Sequence, residues 1–541
     1  MGKPWFAQYD DWTPHEIDAD RHKSVVAMLV QAGERFGDNV AYSNFGATRT
    51  YAETMTLSRD FAAYLQSSLG LKKGDRVALM APNMMAFPIA MFGILRAGCV
   101  QVNVNPMYTA RELEHQLNDA DAETIVVFSG STGTLADVID HTNIKNVIVV
   151  ALDDLIGLGL PSPPADERLK DAIAFTDAIA AGADMDFADV DINGDDLIYL
   201  QYTGGTTGLS KGAMLTHRNL VANIMQFESA VGDYVNLGGD VVITAIPMYH
   251  IFALMVNTLS YFHFGGTNVL ITDPRDMRAF VDEWAKWDVS VFTGVNTLFN
   301  GLLHTSGFAD LDFSALRISV GGGAAVQQAV SDRWKEVTGR HIKEGYGLSE
   351  TSPILTLNPF GMEDFKGSIG VPAPSTDISL RDEDGNEVPQ GERGELCAKG
   401  PQVMKGYWRR DDATAKSMTD DGYFCTGDIA TMDEDGFFRI VDRKKDMIIV
   451  SGFNVFPNEI EAEVAAMEQV LECACIGVPD EKSGEAAKLF VVKIDDALTI
   501  EAVRAHCKKC LVAYKVPRHI VFIDELPKST VGKILRRELR D

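Results

Sequence analysis

The chain has 541 residues, and because domains usually hold about 100 to 200 residues, it can form three or more structural units. Its 46% hydrophobic and 23% charged residues are typical of folded globular proteins and exclude an intrinsically disordered chain. Lys and Arg number 49 against 77 Asp and Glu, which gives a net charge of −28. A field of this sign opposes nucleic-acid backbones, and we therefore expect no nucleic-acid partner.

Seven cysteines are too few and too scattered for a disulfide framework, which predicts a reducing compartment. The close pairs, Cys473 with Cys475 and Cys507 with Cys510, lie in apolar or helical surroundings. We expect buried thiols there rather than a structural zinc site. The N-terminal residues MGKPWFAQYD contain no apolar stretch of secretory length, which favours a cytoplasmic protein.

Short β-rich runs alternate with helical patterns over roughly the first 370 residues. The predicted strands are 77–80, 124–128, 146–150, 196–200 and 289–292, and two of the predicted helices are 86–97 and 110–118. Such alternation is typical of α/β layers with largely parallel sheets. A Pro-rich, charged stretch at 157–171 predicts a surface loop.

The segment 241–272 contains no Asp, Glu, Lys or Arg, and its length resembles that of a transmembrane helix. Pro247, Asn257 and the pair Gly265-Gly266 interrupt it, and acidic rather than basic residues flank it. We therefore predict a buried strand, a loop and a core helix, apolar enough to line a pocket for a hydrophobic ligand.

The pattern changes after about residue 370. Turn signals such as Asp384-Gly385 and Asp435-Gly436 predict a β-rich subdomain at about 370–441. From 447 onward a further α/β unit is predicted, with strands at 473–478 and 488–494 and helices at 457–467 and 499–511. The predicted fold class is therefore α/β, with a large N-terminal part and a small C-terminal unit.

The sequence YTGGTTGLSKG at 202–212 directly follows a predicted strand. Its glycines let the backbone wrap an anion, its hydroxyl groups can donate hydrogen bonds, and Lys211 adds a positive charge. It is not a Walker A motif, because Gly212 follows Lys211 where that motif has Ser or Thr. The residues predicted to bind phosphate are Thr203, Gly204, Gly205, Thr206, Thr207, Gly208 and Lys211.

Six further motifs follow this loop in order. They are PMYH (247–250), GGGAA (321–325), EGYGLSETSP (344–353), YFCTGD (423–428), IVDRKKDMIIVSGFNVFPNEIE (440–461) and PKSTVGKILRR (527–537). Together they resemble the acyl-adenylate-forming superfamily of acyl-CoA synthetases, adenylation domains and luciferases, and within it bacterial long-chain fatty-acid–CoA ligases. The resemblance implies an adenylate-forming domain at 1–441, a hinge at 442–446 and a small mobile α+β domain at 447–541.

The resemblance implies that ATP and Mg²⁺ bind beside the glycine-rich loop. Tyr346 would offer an aromatic face to adenine, and Asp428 would accept the ribose hydroxyls with Arg443 near the same sugar. Glu350 and Thr206 would hold Mg²⁺ through hard oxygen ligands. The remaining implied nucleotide-binding positions are Gly322, Gly323, Ala324, Gly345, Gly347, Thr351 and Ile440.

Three further residues are implied to act in catalysis. Lys533 would contact carboxylate and phosphate oxygens during adenylation, and His250 would lie between the nucleotide and acyl sites. Lys445 would mark the hinge about which the C-terminal domain rotates between two half-reactions. Ser451 and Gly452 would line a narrow passage for the pantetheine arm of CoA.

An acyl tunnel is predicted from the uncharged segment and the apolar stretch after it. Burial of each methylene of a fatty chain contributes about 0.8 kcal/mol, so an apolar lining favours longer acids. The residues predicted to line it are His250, Ile251, Phe252, Met255 and Phe299.

The sequence therefore predicts an enzyme that joins a medium- or long-chain fatty acid to CoA through an acyl-adenylate, using ATP and Mg²⁺. Three alternatives stay open at this point. They are a CoA ligase for a short, aryl or sulfur-containing acid, a non-catalytic protein that binds fatty acid or acyl-CoA, and an acyl-AMP ligase serving a carrier protein. Chain-length preference, a homodimer and weak peripheral contact with the inner membrane are also left open.

Overall fold

The computed structural model describes residues 3–203, 210–450, 453–480, 483–530 and 532–540. Two large sheets occupy the first part of the chain. Their strands are β1 Val40–Asn44, β2 Ala47–Thr50, β3 Arg76–Met80, β4 Val100–Asn103, β5 Thr124–Phe128, β6 Asn146–Val150, β7 Ile173–Ala174, β8 Leu197–Thr203, β9 Lys211–Thr216, β10 Val241–Thr244, β11 Thr267–Leu270, β12 Val291–Gly294, β13 Ile318–Gly321, β14 Lys343–Gly347, β15 Ile354–Leu357 and β16 Val371–Pro372.

Two smaller sheets follow in the chain. A four-stranded antiparallel sheet contains β17 Asp377–Arg381, β18 Gly394–Lys399, β19 Phe424–Met432 and β20 Phe438–Arg443. A five-stranded sheet contains β21 Ile448–Val450, β22 Phe453–Val455, β23 Val470–Asp480, β24 Gly484–Lys493 and β25 His519–Phe522.

Helices cover the sheets and connect the parallel strands. The α-helices are α1 Val25–Arg35, α2 Tyr51–Ser67, α3 Ala86–Arg96, α4 Ala110–Ala120, α5 Thr132–Ala136, α6 Phe175–Ala183, α7 His217–Val231, α8 Tyr261–His263, α9 Met277–Trp284, α10 Asn296–Leu303, α11 Gln328–Thr338, α12 Asp411–Ser417, α13 Pro457–Ala465 and α14 Ile500–Cys510. A π-helix, Ala253–Ser260, precedes α8. Several helices begin at reciprocal caps, as where the Thr216 side chain and Asn219 cap α7 directly after β9.

The strand orders bring the motifs to one edge of each large sheet. The nine-stranded sheet has the order β16-β15-β14-β13-β12-β10-β11-β1-β2, and β10 to β14 within it are parallel. The seven-stranded sheet has the order β7-β6-β5-β3-β4-β8-β9, with β9 antiparallel to β8. Because ligands bind outside the carboxyl ends of parallel strands, the loops after β4, β8, β10, β12, β13 and β14 are the candidate binding region.

The uncharged segment forms β10, a loop, the π-helix with α8, and β11, and residues 253–262 are all buried. The predicted strand, loop and core helix are therefore confirmed, with β11 as an additional strand. Among the described residues, no helix is long and apolar enough to cross a membrane. The other predicted elements are confirmed to within a few residues, as for β8, predicted at 196–200, and α3, predicted at 86–97.

All seven cysteines are free thiols. Cys473, Cys475 and Cys507 are buried as predicted, but Cys510 is exposed on the last residue of α14, so the expectation of a buried thiol is wrong there. Cys507 packs into the core of the C-terminal unit, whereas Cys510 lies at the exposed end of α14, whose last three residues are all exposed.

Candidate nucleotide and acyl site

The glycine-rich loop connects β8 to β9. Thr203, the last residue of β8, pairs with Lys211, the first residue of β9. The Lys211 ammonium lies 4.4 Å from the ring centroid of Tyr407, a cation–π contact that fixes this side chain at the base of the loop. The remaining predicted phosphate-binding residues, Gly204, Gly205, Thr206, Thr207 and Gly208, lie outside the described residues.

The carboxylate of Glu350 follows β14 and is only 7% exposed. The Tyr407 hydroxyl donates a hydrogen bond of 2.8 Å to Glu350 Oε1, and the Met404 amide donates one of 2.8 Å to the Glu350 carbonyl. Burial raises the pKa of Glu350, while Tyr407 and the nearby Lys211 oppose that shift. A cation bound to Glu350 would favour its ionised form further, so the carboxylate suits a metal ligand.

Thr351 follows Glu350 and is fully buried. Its hydroxyl lies 2.5 Å from the Pro353 carbonyl oxygen and accepts a hydrogen bond from the Leu348 amide. The Thr351 side chain therefore stabilises the turn that presents Glu350.

Glycines form the surface between β13 and β14. A Cβ atom at Gly347 would lie 1.8 Å from the Pro353 carbonyl oxygen, so only glycine fits there. A Cβ at Gly322 would lie 3.1 Å from the Phe252 ring and 3.6 Å from the Gly345 carbonyl oxygen. Gly322 therefore joins the predicted acyl residue Phe252 to the predicted nucleotide surface. The neighbouring Gly323 and Ala324 are exposed.

Asp428 contacts two other predicted nucleotide residues, Tyr346 and Arg443. The Tyr346 hydroxyl donates a hydrogen bond of 2.6 Å to Asp428 Oδ2, and Arg443 Nε lies 3.6 Å from Asp428 Oδ1. Asp428 and Arg443 are register partners on β19 and β20, so the hairpin itself sets this ion pair. Ile440 lies on the same strand as Arg443, two positions from Asp442.

Lys533 reaches this region from the C-terminal end of the chain, on a turn closed by the bridge between Lys528 and Ile534. The Thr297 hydroxyl donates a hydrogen bond of 3.3 Å to the Gly532 carbonyl, and Asn105 Nδ2 lies 3.4 Å from Thr530 Oγ1. Gly532 has φ +76°, and a Cβ there would lie 2.7 Å from Thr297 Oγ1. Glycine is therefore required by both conformation and space.

Several cations surround Lys533. Desolvation is the largest cause that lowers the pKa of Lys533 to about 7, and Arg443 and Lys445 lower it further, while Asp428 opposes them. Burial lowers the pKa of His250 to about 4, with Lys533 as the second cause, so the imidazole is neutral at pH 7. The Phe252 amide lies 3.4 Å from His250 Nδ1. An anion among these groups would relieve the repulsion between Lys533 and its cationic neighbours.

The predicted hinge is continuous with β20. Its first two residues, Asp442 and Arg443, pair with Ile429 and Asp428, so the strand ends inside the range 442–446. Desolvation and Arg443 lower the pKa of Lys445. The predicted pantetheine residues Ser451 and Gly452 lie outside the described residues.

The predicted acyl residues fall into two hydrophobic clusters. Ile251, Phe252 and Met255 belong to a cluster built on α3 and the π-helix. Phe299 belongs to another cluster, where its ring centroid lies 4.8 Å from that of Trp334 and 5.2 Å from that of Phe292. Phe299 therefore lies in a different cluster from the other three predicted acyl residues, next to Gly321, where a Cβ would lie 3.8 Å from its ring.

Sequence reasoning missed several residues that hold the predicted site residues in place by hydrogen bonds. Tyr407 binds Glu350, and Asn105 and Thr297 contact the turn that carries Lys533. Asn105 and Thr297 follow β4 and β12, and polar residues after parallel strands are a usable signal for a site. Tyr407 lies in an irregular segment and carries no such signal.

Arg536 is another residue that sequence reasoning missed. It lies three residues after Lys533, in the C-terminal tail (residues 532–540), and pairs with three acidic residues. Arg536 Nη2 lies 2.7 Å from Glu461 Oε2, and Nη1 lies 3.8 Å from Asp442 and 3.6 Å from Asp446. Asp442 is fully buried, and burial raises its pKa to about 6 although Arg536 opposes this. Arg536 therefore joins the C-terminal residues to α13, to β20 and to the segment after β20.

Comparison with known proteins identifies the family to which this architecture belongs. The AMP-binding enzyme family model matches residues 29–408, and that of the AMP-binding enzyme C-terminal domain matches residues 459–533. The chain belongs to the AMP-binding enzyme family.

Two curated relatives match nearly end to end. The chain is 52% identical over its full length to a long-chain-fatty-acid–CoA ligase of Yersinia pestis, of which the match covers 98%. It is 35% identical to a feruloyl-CoA synthase of an Amycolatopsis species, over 92% of this chain and 94% of that one.

A solved relative, MatB from Rhodopseudomonas palustris, is 31% identical and covers 95% of this chain and 98% of its own. Its ATP-bound crystal structure matches with a TM-score of 0.83, whereas the apo structure of the same protein gives 0.74. Identity and coverage are the same in both comparisons, so the present structure is more similar in shape to the ATP-bound form of that protein.

Proposed function

We propose that this AMP-binding enzyme is an ATP-dependent long-chain fatty-acid–CoA ligase. In the first half-reaction, a fatty-acid carboxylate attacks the α-phosphorus of ATP, forming acyl-AMP and releasing pyrophosphate. In the second, the CoA thiolate attacks the acyl carbonyl, forming acyl-CoA and releasing AMP. The observation that carries the proposal is the meeting of Lys533, from the C-terminal end, with His250, Arg443 and Asp428 from the N-terminal part.

The charges around Lys533 suit the first half-reaction. The attacking carboxylate and the α-phosphate are both anionic, so their approach needs positive charge that is already in position. Lys533 and Arg443 supply this charge, and neutral His250 can separate the acyl and nucleotide groups without adding a further cation. Asp428, with Tyr346 behind it, offers a carboxylate to the ribose hydroxyls.

We propose that Glu350, together with Thr206, holds Mg²⁺. When bound, the ion would neutralise charge on the phosphates of ATP. Replacing Glu350 with Gln should lower the adenylation rate on the order of 100-fold and raise the Mg²⁺ concentration needed for half-maximal pyrophosphate exchange. Glu363→Gln, at an exposed carboxylate in the next segment, should leave both unchanged. An unchanged Mg²⁺ requirement in Glu350→Gln would contradict the assignment.

The fatty-acid assignment rests on the name of the 52% identical Yersinia relative and on the buried uncharged segment around Met255. The name of the Amycolatopsis relative makes an aryl acid the second candidate substrate. A coupled assay of AMP release should rank hexadecanoate and dodecanoate well above butanoate and ferulate in kcat/KM. A preference for butanoate or ferulate would overturn the fatty-acid assignment but leave adenylation intact.

The same assay without CoA separates the remaining alternatives. A ligase should form acyl-AMP and pyrophosphate once per active site and stop, whereas a binding protein should release no pyrophosphate. Addition of CoA should restart turnover, and failure to restart would favour an acyl-AMP ligase that serves a carrier protein.

A further inference from the structure

The helices α13 and α14 of the C-terminal unit carry a side-chain cluster that the proposed reaction does not use. The two helices pack through buried apolar side chains that include Val464 and Cys507. At the rim of this contact lie Glu463 from α13 and His506 and Cys510 from α14. Because the apolar contact already fixes the two helices, the three polar side chains are held near one another without a ligand.

The geometry of the cluster suits one metal ion. A donor atom from each of the three residues lies within 4.8 Å of the other two. His506 and Cys510 are four residues apart on α14, so they project from the same helix face. His506 Nε2 lies 3.8 Å from Cys510 Sγ, close to the separation of about 3.6 Å expected for nitrogen and sulfur ligands of one tetrahedral zinc ion.

The donor set distinguishes between metals. One thiolate, one imidazole and one carboxylate suit Zn²⁺, whereas Mg²⁺ and Ca²⁺ prefer oxygen ligands alone. Three protein ligands leave a fourth tetrahedral position for water, and the exposed Cys510 leaves that side open to solvent. We propose that Glu463, His506 and Cys510 form a zinc-binding site that bridges α13 and α14.

Binding exchanges existing contacts for metal bonds. The Cys510 thiol would lose its proton to solvent as the Zn–S bond forms, and His506 Nε2 would give up its 2.9 Å contact with the Glu463 carbonyl oxygen. These exchanges and the nearby exposed Lys509 make the site weaker than a four-ligand structural zinc site. Glu461, two residues before Glu463, lies on another side of α13, where it binds Arg536 and does not compete.

Titration of the reduced, untagged full-length protein with Co²⁺ in buffer containing excess Mg²⁺ tests the proposal. One equivalent of Co²⁺ should produce a thiolate-to-cobalt charge-transfer band, and Zn²⁺ should displace the cobalt and abolish it. Cys510→Ser should abolish the band, and His506→Ala and Glu463→Gln should each weaken Co²⁺ binding by at least about tenfold. Zn²⁺ should also raise the Tm of the parent protein but not that of Cys510→Ser.

Two matched controls complete the experiment. Cys425→Ser removes a partly exposed thiol from the four-stranded sheet, where it lies 3.0 Å from Cys397. This variant should keep the band. Glu501→Gln removes an exposed carboxylate from α14 and should bind Co²⁺ like the parent. Absence of the band in the parent, or its loss in Cys425→Ser with retention in Cys510→Ser, would overturn the proposal. Adenylation is measured separately, so this result does not depend on the proposed ligase activity.

Discussion

The N-terminal sheets and the C-terminal unit contribute to the candidate site by different kinds of contact. Glu350 and Asp428 are nearly buried and are fixed by hydrogen bonds of 2.8 and 2.6 Å from tyrosine hydroxyls. Lys533 arrives on a turn that touches the N-terminal part through longer polar contacts, 3.3 Å at Thr297 and 3.4 Å at Asn105. The turn that carries Lys533 is therefore held at the site by longer contacts than those that fix Glu350 and Asp428, as expected if this turn must leave the site between half-reactions.

The largest effect is expected when Lys533, which comes from the C-terminal unit, is replaced. Lys533→Ala should slow acyl-AMP formation on the order of 1,000-fold, because it removes the ammonium that we propose meets the reacting anions. Thioester formation from supplied acyl-AMP should stay within about threefold of the parent. Arg537→Ala, on the same tail but exposed, serves as the control. Equal loss of both half-reactions in Lys533→Ala would contradict the proposal that Lys533 acts only in adenylation.

The converse pattern is expected at the predicted hinge. Lys445→Pro fixes φ and should block rotation of the C-terminal unit, so acyl-AMP should form while thioester formation falls about 100-fold. Lys445→Ala removes the same charge but keeps the backbone free and should stay within about threefold of the parent in both steps. Rapid-quench measurement of bound acyl-AMP distinguishes the two variants. Normal thioester formation in Lys445→Pro would place the pivot elsewhere.

A smaller effect on adenylation is expected from changing the close contact between Gly532 and Thr297. Gly532→Ala adds a Cβ 2.7 Å from Thr297 Oγ1 at φ +76°, and should displace Lys533 enough to lower adenylation about tenfold. Gly385→Ala is the matched control, because Gly385 has φ +82° but no atom near its added Cβ. Pyrophosphate exchange should therefore be nearly normal in Gly385→Ala. Equal activity of the two variants would show that Thr297 does not position the turn.

The lowered pKa of Lys533 predicts that the adenylation rate depends on pH. Lys533 has a pKa of about 7 in the unliganded protein, below its ordinary 10.5, so it loses its proton as the pH rises through 7. If the protonated form binds the anions, kcat/KM for adenylation should fall toward tenfold per pH unit above about 7. Lys533→Arg keeps its charge and should lack this decline. His250, with a pKa of about 4, should add no change above pH 5.

The sequence predicted residues that belong to local motifs. Asp428 and Arg443 were both assigned to the ribose, and the β19–β20 hairpin makes them register partners. Lys533 and Glu350 were named, but their surroundings depend on contacts between distant segments, such as Asn105 with Thr530, 425 residues apart. No local pattern encodes such pairs, and so the pKa of Lys533 and the role of Tyr407 could not be predicted.

Burial was predicted well where a segment is apolar throughout and less well at a helix end. The uncharged segment gave the buried π-helix region, because apolar residues continue on every side. Cys510 was assigned to the interior from its apolar or helical surroundings, yet α14 ends there and its last three residues are exposed. A helix end can therefore be exposed even where the next turn of the same helix is buried.

The ion pairs of Arg536 also limit how far the protein can be shortened. Arg536 lies near the C-terminal end, yet it neutralises Glu461 and the fully buried Asp442 in segments that precede it by 75 and 94 residues. Deleting the chain from this point would leave Asp442, on β20, without this cation, so the damage would appear at the junction between the two parts. Tags and fusions at this terminus are therefore best joined after Arg540, which itself lies 3.0 Å from Asp446.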